Sequence, residues 1–194
     1  MKAGVLLDRD GTINEQMGYI NHLSRFVMLP DAALAIKRLN DEHIPVAVVT
    51  NQSGLARGYF PESLLAKVHD KMNSALAKVK AHVDGIFICP HHPEAKEEKF
   101  RVNCDCRKPK TGLFDQASQS LDIDLKKSYL VGDRWSDLKA AVQCGAVPVL
   151  VLTGYGAGDY EYIGPTQKVQ PAFVADTLLS AVDWIIADMV KNQS

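Results

Sequence analysis

Short runs of almost wholly apolar residues alternate along the chain with longer stretches of helical periodicity. Ala3–Leu7, Val46–Val49, Gly85–Ile88, Ser128–Val131 and Val147–Leu152 lack the polar alternation of a half-exposed strand. They read as strands buried on both faces. Between them, Ala32–Asn40, Pro61–Val79, Gly112–Leu121 and Asp137–Cys144 carry apolar residues at helical spacing, and a last helix is expected over about Asp176–Val190. Leu64, Leu65, Val68, Met72, Leu76 and Val79 trace the stripe of the longest of these. Pro30, Asp31 and Pro61 suit helix starts, and Gly145 suits a stop. This alternation predicts an α/β fold: a Rossmann-like three-layer α/β/α arrangement around a mostly parallel sheet. Pro148 has no N–H for a ladder, which favours an edge for the fifth strand. Two stretches fit no period, 89–109 and 153–171, and loops of that length are functional or specially stabilised.

Parallel sheets bind ligands at the carboxyl ends of their strands, so the residues following each strand carry the chemical interest. After the first strand come Asp8, Arg9, Asp10, Gly11 and Thr12. Asp-x-Asp-Gly alone is a solvated turn more often than a site. Directly after an apolar strand, the pair can share one site, hold Mg2+, attack phosphorus and shuttle a proton. After the second strand, Thr50, Asn51, Gln52 and Ser53 offer a hydroxyl and backbone N–H groups to phosphate oxygens, or a plain helix cap. After the third strand and its loop come Arg107 and Lys108, suited to grip and neutralise phosphate, or to form a solvated basic run. After the fourth come Gly132, Asp133, Arg134 and Asp137. Asp133 is the natural third anchor for Mg2+, and Asp137 a supporting or capping residue. The four strand ends together hold what phosphoryl transfer needs: a nucleophile, a proton shuttle, a metal site and fixed positive charge.

Composition narrows the partners. Lys plus Arg number 22 against 23 Asp plus Glu, a net charge of −1, without the basic excess that nucleic acid or an anionic membrane demands. With 46% hydrophobic and 23% charged residues over 194 positions, extensive disorder is excluded and one domain over 1–194 is expected. The apolar stretch before Asp8 is too short for an export signal, and no run approaches the ~18 residues of a membrane span. A cytoplasmic, monomeric protein is expected. There, four cysteines read as thiols or metal ligands. Cys89, His91, Cys104 and Cys106 make a Cys3His set, a closed tetrahedral Zn2+ site that would staple the loop at about 89–109. His91 mirrors the Cys104-x-Cys106 spacing, and His92 is the other candidate. Cys144 reads as packing. Trp135 suits either a pocket wall or helix packing, and Trp184 packing or a partner contact. Tyr155, Tyr160 and Tyr162 suit either substrate or a second subunit.

Asp8-x-Asp10-Gly11-Thr12, Thr50, Lys108 and Gly132-Asp133-x-x-x-Asp137 resemble the four motifs of the haloacid dehalogenase superfamily. That resemblance implies Asp8 as nucleophile and Asp10 as general acid and base. It implies that Thr50 and Lys108 steady the phosphoryl group, and that Asp8, Asp133 and the Asp10 carbonyl hold Mg2+. Cys-Pro-His-His-Pro, Cys-Asp-Cys-Arg-Lys-Pro, Asp-Arg-Asp-Gly-Thr-Ile-Asn and Val-Val-Thr-Asn-Gln-Ser-Gly-Leu-Ala-Arg-Gly narrow it. Over roughly residues 3 to 155 the chain resembles the D-glycero-D-manno-heptose 1,7-bisphosphate 7-phosphatase family, of heptose and lipopolysaccharide precursor synthesis. Histidinol-phosphate phosphatases share much of the pattern and are the nearest alternative. A zinc-stapled phospho-ligand binding module is the non-catalytic one. The family resemblance implies no large cap domain, a small phosphorylated sugar as substrate, and recognition by Arg9, Gln16, Gly18, Tyr19, Asn51, Gln52, Ser53, Arg107 and Arg134. Arg107 would hold the distal phosphate, which histidinol phosphate lacks.

Overall fold

The computed structural model describes residues 1–192. Its centre is one six-stranded parallel sheet, β1 (Val5–Leu7), β2 (Val46–Asn51), β3 (Gly85–Cys89), β4 (Tyr129–Gly132), β5 (Val147–Val151) and β6 (Phe173–Ala175), in the order β3-β2-β1-β4-β5-β6. The helices are α1 (Ala32–Asp41), α2 (Ser53–Ala56), α3 (Glu62–Ala77), α4 (Gly112–Leu121), α5 (Trp135–Cys144), the single turn α6 (Gly156–Gly158) and α7 (Leu178–Lys191).

Side chains of a strand point alternately to its two faces, and the core divides accordingly. Val5, Leu7, Val46, Val48, Tyr129 and Val131 pack with the stripes of α1, α3 and α7. Leu6, Ala47, Val49 and Leu130 pack with Leu113, Phe114, Ala140 and Ala141 of α4 and α5. This is why the strands show no polar alternation in sequence. Among the described residues no cap domain covers the sheet's carboxyl edge. No described helix is long and apolar enough to cross a membrane.

Pro148 does not mark an edge. β5 pairs with β4 on one side and with β6 on the other. The β6 register begins at Val149–Phe173, one residue past the proline. The missing N–H therefore faces a point where β6 has not begun, while the Pro148 carbonyl accepts from Ala172 at 2.8 Å. The three-residue β6 is the real edge on that side, too short to stand out in the pattern. Helix α5 starts at Trp135, two residues before the expected Asp137, because Asp137 caps from inside: its Oδ2 accepts the Arg134 N–H at 3.1 Å. Within 153–171, expected to be irregular, the chain makes α6 and two further short turns over 159–166.

Candidate active site

The order of the sheet reverses at β1, flanked by β2 and β4, and the cavity opens at the carboxyl ends of these three strands. Its volume is about 420 Å3. Asp8 follows β1 directly, and its N–H is still held by Val131 of β4 at 2.9 Å. Asp8 Oδ1 accepts the Arg9 N–H at 2.7 Å and meets Lys108 Nζ at 2.9 Å. Lys108 Nζ also reaches Asp137 Oδ1 at 2.7 Å and the Val49 carbonyl at 2.9 Å. The ammonium thus sits among two carboxylates and one carbonyl. Asn51 keeps the lysine in place: it accepts the Lys108 N–H at 3.1 Å and donates to the Lys108 carbonyl at 3.3 Å.

Burial raises the Asp8 pKa to about 6, with Lys108 acting against the rise and Asp137 with it. Asp8 is therefore ionised at neutral pH, the state a nucleophile needs. Burial works against the Lys108 ammonium, but Asp137 and Asp8 outweigh it and hold its pKa above the ordinary lysine value.

Asp133 is fully buried at the end of β4. Its Oδ2 accepts the Tyr155 N–H at 2.8 Å, and its Oδ1 has no partner. Burial, then the charges of Asp8 and Asp137, raise its pKa to about 8. Two glycines make room for it. Gly11 (φ +85°) and Gly154 (φ +58°) approach so closely that a Cβ on either would collide with the Asp133 carboxylate. Thr153 Oγ1 ties the two loops by donating to the Gly11 carbonyl at 2.6 Å. Oxygen ligands of Asp8, Asp133 and Asp137 lie within 4.8 Å of one another. Asp137 pairs with Lys108 and accepts the Arg134 N–H, which leaves Asp8 and Asp133 the better placed of the three to offer an oxygen to a cation. A carboxylate whose pKa is raised by burial and then by like charges, with a buried oxygen left unpartnered, fits a hard divalent cation such as Mg2+.

Asp10 is held differently. Arg9 Nη2 donates to its two oxygens at 3.0 and 2.9 Å, Asn14 to Oδ1 at 2.9 Å and Gln52 to Oδ2 at 2.8 Å. Thr50 Oγ1 accepts from the same Gln52 amide at 3.1 Å. Gln16, Gly18, Tyr19, Asn51, Ser53, Arg107 and Arg134 line the cavity together with Asp8, Asp10, Thr50, Lys108 and Asp133. Arg9 and Gln52 do not line it; both are buried behind Asp10. Ser136 and Tyr155 line it as well. Ser136 lies inside the Gly-Asp-x-x-x-Asp segment, but a serine in a first helical turn reads as a cap. The Arg134 guanidinium lies 4.4 Å over the Tyr155 ring and pairs with Asp159 at 3.2 Å. Tyr160 and Tyr162 are exposed, away from the cavity. Trp135 packs against Leu138 and Leu150, and Trp184 stacks on Phe173 at 4.8 Å.

The second cluster sits beside this cavity. Cys89 Sγ lies 3.6 Å from Cys104 Sγ, 3.1 Å from Cys106 Sγ and 3.8 Å from His91 Nδ1, and His91 Nδ1 lies 3.3 Å from Cys106 Sγ. A zinc tetrahedron with bonds of about 2.3 Å has edges of roughly 3.7 Å, so the four atoms match a closed Zn2+ site. His92 turns away to Arg57, at 2.9 Å. Arg107 and Lys108 follow Cys106 directly, so the cluster fixes where these two cations emerge on the cavity wall.

The model of the HAD-hydrolase-like family matches residues 105–181. The D-glycero-β-D-manno-heptose-1,7-bisphosphate 7-phosphatase of Haemophilus ducreyi is 44% identical over 155 residues, 79% of this chain and 85% of that protein. The Escherichia coli K12 protein of the same name is 42% identical, over 77% of this chain and 79% of its own. The chain belongs to this phosphatase family. A solved member from B. bronchiseptica, the D,D-heptose 1,7-bisphosphate phosphatase complexed with magnesium and phosphate, superposes with a TM-score of 0.85 at 36% identity. It covers 97% of this chain and 99% of that one. The corresponding enzyme of Burkholderia thailandensis gives 0.70 at 30% identity, over 96% and 99%. Family members are HAD-like phosphatases, and the carboxylates and the Cys3His cluster of this chain are the matching equipment for Mg2+ and for structural Zn2+.

Proposed function

We propose that the chain removes the 7-phosphate of D-glycero-D-manno-heptose 1,7-bisphosphate in two in-line steps through phospho-Asp8. The observation that carries this reading is the arrangement at the cavity floor. A buried Asp8 carboxylate lies beside the open Asp133 oxygen, against the Lys108 ammonium at 2.9 Å, with Asp10 next to it.

In the first step an Asp8 oxygen bonds to phosphorus as the ester bond to the sugar breaks, and Asp10 gives its proton to the departing alkoxide. In the second, water attacks the phosphorus of the acyl phosphate. Asp10 takes the water's proton, and Asp8 is released as a carboxylate along with inorganic phosphate. Lys108, Thr50 and the backbone around Asn51 steady the phosphoryl oxygens. Asp8, Asp133 and the Asp10 carbonyl would hold Mg2+, which would supply positive charge to those oxygens. Arg107 and Arg134 on the cavity wall give the second phosphate two guanidinium partners, with Gln16, Gly18, Tyr19, Asn51 and Ser53 shaping the sugar site. Two arginines suit a second dianion and oppose the cationic amine of histidinol phosphate. The zinc cluster needs reduced thiols, which supports work in the cytoplasm; a monomer acting on a small phosphorylated sugar completes the proposal.

The test is a turnover comparison of heptose bisphosphate, heptose 7-phosphate and histidinol phosphate. Wild type is expected to prefer the bisphosphate. Arg107→Ala should raise KM about tenfold for the bisphosphate and little for the monophosphate, the scale of one charge-assisted contact. Asp8→Asn should abolish turnover with the fold intact. Preference for histidinol phosphate, or substantial activity in Asp8→Asn, overturns the reading.

A further inference from the structure

Arg9 is buried to 1% exposure beneath the proposed acid–base carboxylate. One side of its guanidinium serves Asp10, through Nε at 3.3 Å from Oδ1 and Nη2 at 3.0 and 2.9 Å from the two oxygens. The remaining nitrogen, Nη1, lies 3.2 Å from Nε2 of His69, in the middle of α3. A guanidinium has donors only and keeps its charge. The imidazole must therefore accept at Nε2, which makes His69 neutral with its proton on Nδ1. Its surroundings agree: burial, and then the Arg9 charge, hold its pKa down to about 4. The helix that carries it is anchored in the core through Leu65, Val68, Met72 and Leu76.

His69 lines no part of the active-site cavity; it borders an apolar hollow behind it, beside Leu65, Ile88 and Phe100. It lies outside both metal-type clusters. What it does touch is the far edge of the group that holds Asp10. A guanidinium bound along one edge can still swivel about that contact, on a flexible three-carbon stem. Bound at its far nitrogen as well, it is a fixed plane. Asn14 and Gln52 complete the set of donors to Asp10, so a fixed Arg9 leaves the carboxylate one orientation in which its contacts are met.

We propose that His69 is a positioning residue for the acid–base step: by accepting from Arg9 Nη1 it locks the guanidinium, and the locked guanidinium aims Asp10 at the leaving-group oxygen. The inference rests on the acid–base role given to Asp10 above. When Asp10 has released its proton, the carboxylate is met by the Arg9 donors already in place.

A role confined to proton delivery depends on the leaving group. A sugar alkoxide needs a proton as it departs, whereas p-nitrophenolate leaves without one. The experiment compares kcat/KM for the sugar bisphosphate and for p-nitrophenyl phosphate. This ratio reports only steps up to the transfer to Asp8. His69→Leu is expected to lower the sugar phosphate value about tenfold, a fraction of the 10²–10⁴ typical of a general acid, and to leave the nitrophenyl value within about twofold. His69→Gln, whose amide oxygen can accept from Arg9, should recover most of the loss. Equal losses on both substrates, no loss on either, or no recovery with His69→Gln overturns the proposal. If His69→Leu does not fold, His69→Ala is read by the same ratio. Asp10→Asn is the reference and should show the same selectivity in greater degree. If it shows none, the acid–base reading of Asp10 falls. If it is selective and His69→Leu is not, the His69 inference alone falls.

Discussion

Removing the charge at Asp133 should stabilise the metal-free protein while destroying its response to Mg2+. The carboxylate is fully buried, one oxygen has no partner, and its pKa is pushed up to about 8 by burial and by Asp8 and Asp137. Asp8, raised to about 6, strains in the same direction. The folded protein therefore holds protons that the unfolded chain has already released. The stability tied to these groups is fully present below their ordinary value of 3.8 and is lost as pH rises, through about 6 for Asp8 and about 8 for Asp133. At about 1.36 kcal/mol per pH unit, the displacement of Asp8 from 3.8 to about 6 alone costs about 3 kcal/mol at neutral pH. For a chain of this size that is on the order of 6–12 °C in melting temperature. A divalent cation held between the two carboxylates would offset this cost by favouring their charged forms. The measurement is a set of thermal melts at pH 5 and pH 7.5, with and without Mg2+, for wild type and Asp133→Asn. Wild type should gain several degrees from Mg2+ at pH 7.5 and much less at pH 5, where protons compete for the same oxygens. Asp133→Asn keeps an acceptor for the Tyr155 N–H and carries no charge. It should melt higher than metal-free wild type at pH 7.5 and gain almost nothing from Mg2+. An equal Mg2+ gain at both pH values, or an Asp133→Asn variant that melts lower than metal-free wild type, would show that the Asp133 charge is neither a cost to the fold nor the cation's anchor.

Three further outcomes concern the zinc cluster and the glycine beside Asp133. Metal analysis of the purified protein should find one zinc per chain. Cys106→Ser should lose it, melt several degrees lower and lose activity, because Arg107 and Lys108 leave the cluster directly; a zinc-free variant with unchanged melting and turnover would refute the staple. Gly11→Ala puts a Cβ into the Asp133 carboxylate from a backbone at φ +85°. It should cost about 1–3 kcal/mol in unfolding free energy and at least about tenfold in kcat, measured by denaturant melts and by turnover, and a wild-type-like variant would show that the approach is not tight.

The sequence on its own carried the layer order and most of the site. Strands such as Val5–Leu7 are apolar on both faces only when helices cover both, so their composition implied a parallel sheet between two helical layers. In that topology the residues after each strand converge on one edge, and so Asp8, Thr50, Lys108 and Asp133 could be placed together from strand ends alone. The paired cysteine spacing likewise announced the zinc cluster, because ligand count and chemistry are local properties. What depends on distance in space was not legible. Pro148 suggested an edge, yet whether a missing N–H matters depends on where the neighbouring strand begins, and β6 starts one residue later. Arg9 lay between two aspartates and looked like a substrate contact; only the packing of α3 turned its guanidinium inward, to a histidine sixty positions away. The need for glycine at 154 came from an aspartate on another loop. Local pattern determines which elements form and which chemistry they carry to the sheet edge. Which buried charge is paired, and which carboxylate oxygen is left open for a cation, is decided by contacts between segments that no local pattern encodes.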